Sequence, residues 1–168
     1  MTAVDDETWV GPSALERLAI LRRTTSVAIV GASPRPERAS NFVATYLLAS
    51  SDFDVYFVNP NADSILGRPV FRTLADLPAA PDLVDVFRRP ADLPEVLDDA
   101  IAVGAKTLWL QFGLYDVDIA RRAQDAGLAV VMDRCLKIEH ARFHGGLHLA
   151  GFNTGVISSR RPSLGAHQ

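Results

Sequence analysis

Cysteine is nearly missing from this chain: Cys135 stands alone, so no internal disulfide can form and a reducing compartment is the expected setting. Lysine is almost as scarce, with only Lys106 and Lys137 beside fifteen arginines. Positive charge is not in excess either. Seventeen Lys plus Arg against twenty Asp plus Glu leave a formal net charge of -3, which argues against nucleic acid as a partner and requires any anion site to be local. No run approaches the roughly 18 apolar residues needed to span a bilayer; the stretch from Thr107 to Tyr115 is short and interrupted by Gln111 and Gly113. Asp5 and Asp6, with no apolar run behind them, are the opposite of a secretory leader. These absences predict a soluble, cytoplasmic protein with no membrane partner. What is present, 168 residues at 48% hydrophobic and 22% charged, is enough to close one sizeable core and excludes disorder as the dominant state.

Along the chain, Ser13 and Glu16 form a capping-box pattern ahead of Leu15, Leu18 and Leu21, predicting a short amphipathic helix closed by Arg22, Arg23 and Thr24. From Ser26 onward, short apolar runs alternate with helical patterns. Five strands are predicted, starting at Ser26, Asp54, Leu83, Lys106 and Leu128, with helices over about Ala39 to Ser50, Leu93 to Val103 and Val117 to Ala126. Strand starts separated by 22 to 29 residues match the period of a strand-helix-strand unit, whose crossover enforces parallel pairing. Only the second crossover lacks a long helix; ILGRPVF and TLADL read there as a compact loop and one helical turn. The expectation is an α/β single domain: a Rossmann-like, doubly wound sheet of five parallel strands in order 3-2-1-4-5, in three layers. Residues 1-25 would pack a helix on the core, 26-143 form the binding domain, and 144-168 a glycine-rich extension.

Ligands of such sheets bind beyond the carboxyl ends of the strands, where strand order reverses. The first turn there reads VGASPRPERAS, without the G-x-G-x-x-G of a nicotinamide site, and the second strand ends in Asn59-Pro60 without the acid that would hold an adenosine ribose. Both departures count against NAD. An anion site remains, because the loop leads into a helix N-terminus and carries Ser33, Arg35, Arg38 and Ser40. The third strand ends in FRRP, where alternation sends Arg88 and Arg89 to different sides, one to the cleft and one to solvent or to a carboxylate such as Asp92. The fourth ends in WLQFG, placing Gln111 beside the cleft and Trp109 in the core.

The segments VGASPRPERAS, VYFVNPN with ILGRPVF, LVDVFRRP, KTLWLQFG and VVMDRCLKIEHAR, in that order, resemble the small stand-alone coenzyme A-binding proteins. These are relatives of the amino-terminal domain of the succinyl-CoA synthetase alpha subunit. The resemblance covers roughly Ala19 to Phe143 and implies a fold that holds coenzyme A or an acyl-CoA. By position it implies that Gly31, Ala32 and Ser33, with Arg35, Arg38 and Ser40, meet the phosphates. Asn59 and Pro60 would lie on the adenosine side, Phe87 and Arg88 at the nucleotide's edge or pyrophosphate, and Gln111 and Cys135 toward the pantetheine arm. The synthetase's phosphorylated histidine belongs to a second domain this chain is too short to contain, so no residue is assigned a catalytic role.

Three side constellations are weighed against this reading. Cys135 beside Arg134 could exchange with a ligand thiol or be a quiet structural thiol. His140, His144 and His148 are spaced by four, but Gly145 and Gly146 break the helix a metal face would need, so no metal site is assigned. Ser33 has no G-x-S-x-G elbow. Non-catalytic binding of coenzyme A is the leading expectation, with a homo-oligomer or larger enzyme assembly left open. The rivals are a nucleotide-dependent oxidoreductase, an acyl-transfer enzyme using Cys135, and an interaction module with a vestigial cleft.

Overall fold

In a computed structural model, residues 9–144 are described; the glycine-rich extension from 145 onward, with His148, lies outside them. The N-terminal capping box forms as the sequence predicts. Glu16 N donates to Ser13 Oγ, Ser13 N donates back to the Glu16 carboxylate, and helix α1 runs Ala14–Arg23 to a cap at Thr24. The other predicted helices appear as α2 (Ala39–Ser50), α3 (Leu93–Ala102) and α4 (Val117–Asp125). A further helix, α5 (Leu136–His144), follows the last strand; its polar face obscured it in the sequence. Among the described residues, no helix is long and apolar enough to cross a membrane.

The strands are β1 (Ser26–Val30), β2 (Asp54–Val58), β3 (Ser64–Ile65), β4 (Arg68–Phe71), β5 (Leu83–Val86), β6 (Thr107–Leu110) and β7 (Ala129–Val131). They form one seven-stranded sheet in the order β3-β4-β2-β1-β5-β6-β7, parallel except for the β3/β4 hairpin. The doubly wound architecture stands, but the strand count and the identity of the third strand differ from the expectation. The strand at Leu83 lies against β1, on the side away from β2, and the position outside β2 is taken by β4, inside the segment read as a loop. Only two register pairs tie β4 to β2, and Pro69 sits within it, so its four residues carry no readable periodicity. Leaving β3 aside and numbering the parallel strands along the chain gives 3-2-1-4-5-6, with the order reversing between β1 and β5. The second crossover holds a single 3-10 turn, Leu74–Asp76, as TLADL suggested.

Alternation along the strands divides the core in two. Val27 and Ile29 of β1, Leu83 of β5 and Trp109 of β6 face α1, α2 and α5. Ala28, Val30, Val84, Val86, Leu108 and Leu110 face α3 and α4. That is the expected three-layer sandwich. Within one of the helical layers, a buried ion pair, Arg17 Nε to Glu139 at 2.9 Å, joins α1 to α5.

Candidate functional site

At the end of β1 the chain must turn within touching distance of β5. Gly31 adopts φ +85°, and a Cβ on it would lie 2.3 Å from the carbonyl oxygen of Phe87, so this position admits only glycine. Its amide donates to Val58 O at 2.9 Å, while Phe87 N donates to Val30 O at 2.8 Å, so the three strand ends are drawn together where the order reverses. Two asparagines then brace the loop: Asn59 Nδ2 donates to Ala32 O at 2.7 Å, and Asn41 Nδ2 to Ser33 O at 3.1 Å. Ser33 N donates to Ser40 Oγ at 3.0 Å, and Ser33 Oγ accepts from Arg35 N at 3.1 Å.

This braced loop forms one wall of a cleft of about 530 Å³, lined by Gly31, Ser33, Arg35, Arg38, Ala39 and Ser40, with Phe87, Arg88, Gln111, Phe112, Gly113 and Leu114 opposite. The volume is in the range of small-molecule sites, roughly 300–1,000 Å³. Helix α2 enters with Arg38 as its N-cap and no side-chain cap, leaving first-turn amides and the positive end of the helix toward this loop. Among the described residues neither Arg35 nor Arg38 forms an ion pair, and both are exposed. The loop after β6 is held by Asp133, itself at φ +57°: its Oδ1 accepts from Gly113 N at 2.7 Å, and its own amide donates to Leu114 O. Phe112, at the cleft edge, is 80% exposed.

A second, smaller cavity of about 190 Å³ lies on the other side of Gly31, lined by Val30, Val58, Pro60, Arg72, Thr73 and Arg88 among others. Arg88 thus borders both spaces, although its guanidinium is 3.3 Å from Asp92. Arg89 also pairs with Asp92 at 3.3 Å while its side chain stays 82% exposed, so both arginines of FRRP reach the same carboxylate, and of the two only Arg88 lines the cleft. Hydrogen bonding from Arg89, aided by the charge of Arg88, keeps the Asp92 carboxyl below its ordinary range.

Beneath the cleft is a group the sequence reading missed. Asp85, at the centre of β5 and in register with Ile29 and Trp109, is completely buried on the α1/α2/α5 face. Gln111 Nε2 donates to its Oδ1, and among the described residues Oδ2 has no partner. Burial raises its pKa to about 8, only partly opposed by the Gln111 bond, so the acid is protonated at neutral pH. One acidic letter in LVDVF was the available signal.

Eight of the twelve expected residues line the first cleft, Gly31, Ser33, Arg35, Arg38, Ser40, Phe87, Arg88 and Gln111, while Ala32 is buried in the loop and braced through its carbonyl rather than lining the space. Pro60 lines the second cavity. Asn59 is engaged structurally, with Oδ1 accepting from Asn61 N as well. Cys135 is half-buried ahead of α5, packs against the second apolar cluster and lines neither space. His140 hydrogen-bonds the Tyr46 hydroxyl through Nδ1 at 2.8 Å.

The chain is similar to known proteins over most of its length. A Bacillus subtilis (strain 168) protein, the uncharacterized YneT, is 34% identical over 130 residues, covering 77% of this chain and 96% of its own. A solved hypothetical protein from Pyrococcus horikoshii OT3 is 39% identical, with a TM-score of 0.74 over 77% of this chain and 91% of its own. A Thermus thermophilus structure is 32% identical, with a TM-score of 0.72 over 77% and 97%. Residues 25–141 match the CoA binding domain family, and the chain belongs to that family.

Proposed function

We propose that this protein binds coenzyme A or an acyl thioester of it in the cleft at the strand-order reversal, and that it acts as a binder rather than as a catalyst. The observation that carries the reading is the pairing of two arginines free of ion pairs, Arg35 and Arg38, with an uncapped helix N-terminus on a loop that only glycine can enter. Ser33 and Ser40 add hydroxyls, Arg88 spans the two spaces, and the smaller cavity by Pro60 suits the adenosine side. Residues 26-143 would be the binding unit, with α1 packed on it. A lone cysteine fits a cytoplasmic setting.

Structure changes the ranking of the arginines. Arg88 must exchange Asp92 for a phosphate, whereas Arg38 has no carboxylate to give up. A charge-assisted hydrogen bond contributes roughly 1.5–3 kcal/mol, or about 10- to 150-fold in affinity, and an exposed group falls at the lower end. Arg38→Ala should therefore weaken coenzyme A about tenfold in calorimetric titration, Arg88→Ala by no more than that, and Arg89→Ala hardly at all. Wild-type affinity in Arg38→Ala together with a large loss in Arg89→Ala would show that the phosphates lie elsewhere.

A further inference from the structure

Asp85 is an expensive choice for its position. Ile29 and Trp109 flank it in register and the face is apolar apart from Thr107, so a valine would suit the layer. Instead there is a completely buried carboxyl with one oxygen bonded by Gln111 Nε2 and the other, among the described residues, without a partner. Buried unsatisfied oxygens are rare enough in folded proteins to call for a reason. Gln111 supplies one, because it is the residue through which Asp85 reaches the cleft. A carboxamide that lines a cleft can turn either its oxygen or its nitrogen outward, and the two ends recognise opposite partners. An acceptor anchored behind it decides which.

We infer that Asp85 is a positioning residue that holds the Gln111 nitrogen against the sheet and turns its carbonyl oxygen to the cleft, so that this wall accepts a hydrogen bond from an amide N–H of the ligand's uncharged arm. The inference rests on the coenzyme A reading above and specifies how the arm, rather than the nucleotide, is recognised. Gln111 directly follows β6, two strands from β1 and the arginine loop, a lateral distance of about 10 Å at the usual inter-strand spacing. An anionic wall contact and an amide contact are thus separated on one ligand. Burial favours the neutral form of Asp85, and either protonation state presents Oδ1 as an acceptor, so the orientation of Gln111 does not depend on pH.

The test compares coenzyme A with 3′-phospho-ADP, the same nucleotide without the arm. In wild type, coenzyme A should bind more tightly, and Gln111→Leu and Asp85→Val should each lower that preference about two- to tenfold, the value of one hydrogen bond. Affinity for 3′-phospho-ADP should stay unchanged in both. Asp85→Asn, whose carbonyl oxygen can still accept from Gln111, should keep the wild-type preference. An unchanged preference in Gln111→Leu and Asp85→Val, with both nucleotides still bound, overturns the inference and leaves the coenzyme A reading intact. Failure of wild type to bind either nucleotide removes that reading and this one together. Should Asp85→Val not fold, Gln111→Leu and Asp85→Asn decide: an unchanged preference in Gln111→Leu, or a preference lost in a folded Asp85→Asn, overturns the inference.

Discussion

Gly31 and Asp85 lie on neighbouring strands and were unequally visible in the sequence. Glycine after an apolar run, followed by a helix, announces a close approach, and the 2.3 Å between a hypothetical Cβ and Phe87 O is that approach. Arg35, Arg38, Ser40 and Gln111 were legible for the same reason, because strand ends fix which residues rim the cleft. Asp85 was not, since an acid inside a hydrophobic strand is usually a misread boundary, and only the register shows it buried. It should also leave a mark on stability. Its folded pKa, about 8, lies above the ordinary 3.8, so the folded protein keeps a proton that the unfolded chain releases. The proton-linked stability is complete below the unfolded value and is lost as pH rises through the folded one, at about 1.4 kcal/mol per pH unit inside that window. Urea unfolding of wild type and Asp85→Asn at pH 5 and pH 8 should show the variant gaining on wild type as pH rises; a gap that does not change with pH contradicts the burial of this acid.

Elements with strong periodicity or caps were read to within a residue or two: α1 through its capping box, α2 through its apolar residues, and β1, β5 and β6 through short, mainly apolar runs, interrupted in β5 by Asp85. The hairpin of β3 and β4 was lost because its strands have two and four residues, and because its turn is badly spelled. Leu66 at φ +49° and Gly67 at φ +74° form a two-residue turn with both central residues left-handed, the geometry that Asn-Gly usually marks. A side chain other than glycine in that region costs about 1–2 kcal/mol, and asparagine tolerates it better than leucine. Leu66→Asn should therefore stabilise the protein by about 0.5–1 kcal/mol and raise its melting temperature by roughly 1–4 °C. A lower melting temperature would mean that the half-exposed Leu66 side chain contributes more through packing than its backbone loses through strain.

At the scale of the whole molecule, a doubly wound sheet places its ligand where strand order reverses, and here that point lies between β1 and β5. The sequence reading put the strand at Leu83 on the wrong side of β1, but the rim it nominated is unaffected, because both arrangements bring the ends of β1, β5 and β6 to the same edge of the sheet. Under the proposed function, coenzyme A is favoured over NAD at that edge: arginines and helix amides are present, while the loop after β1 lacks a second glycine and β2 leads into Asn59, whose side chain is bonded to Ala32 O. Membership of the CoA binding domain family agrees with that chemistry. The central claim is therefore tested most directly by calorimetric titration of the folded wild-type protein with coenzyme A and, separately, with NAD under the same conditions. Saturable binding of coenzyme A with NAD at least tenfold weaker is the expected result; NAD binding equal to or tighter than coenzyme A, or no heat with coenzyme A, would contradict it.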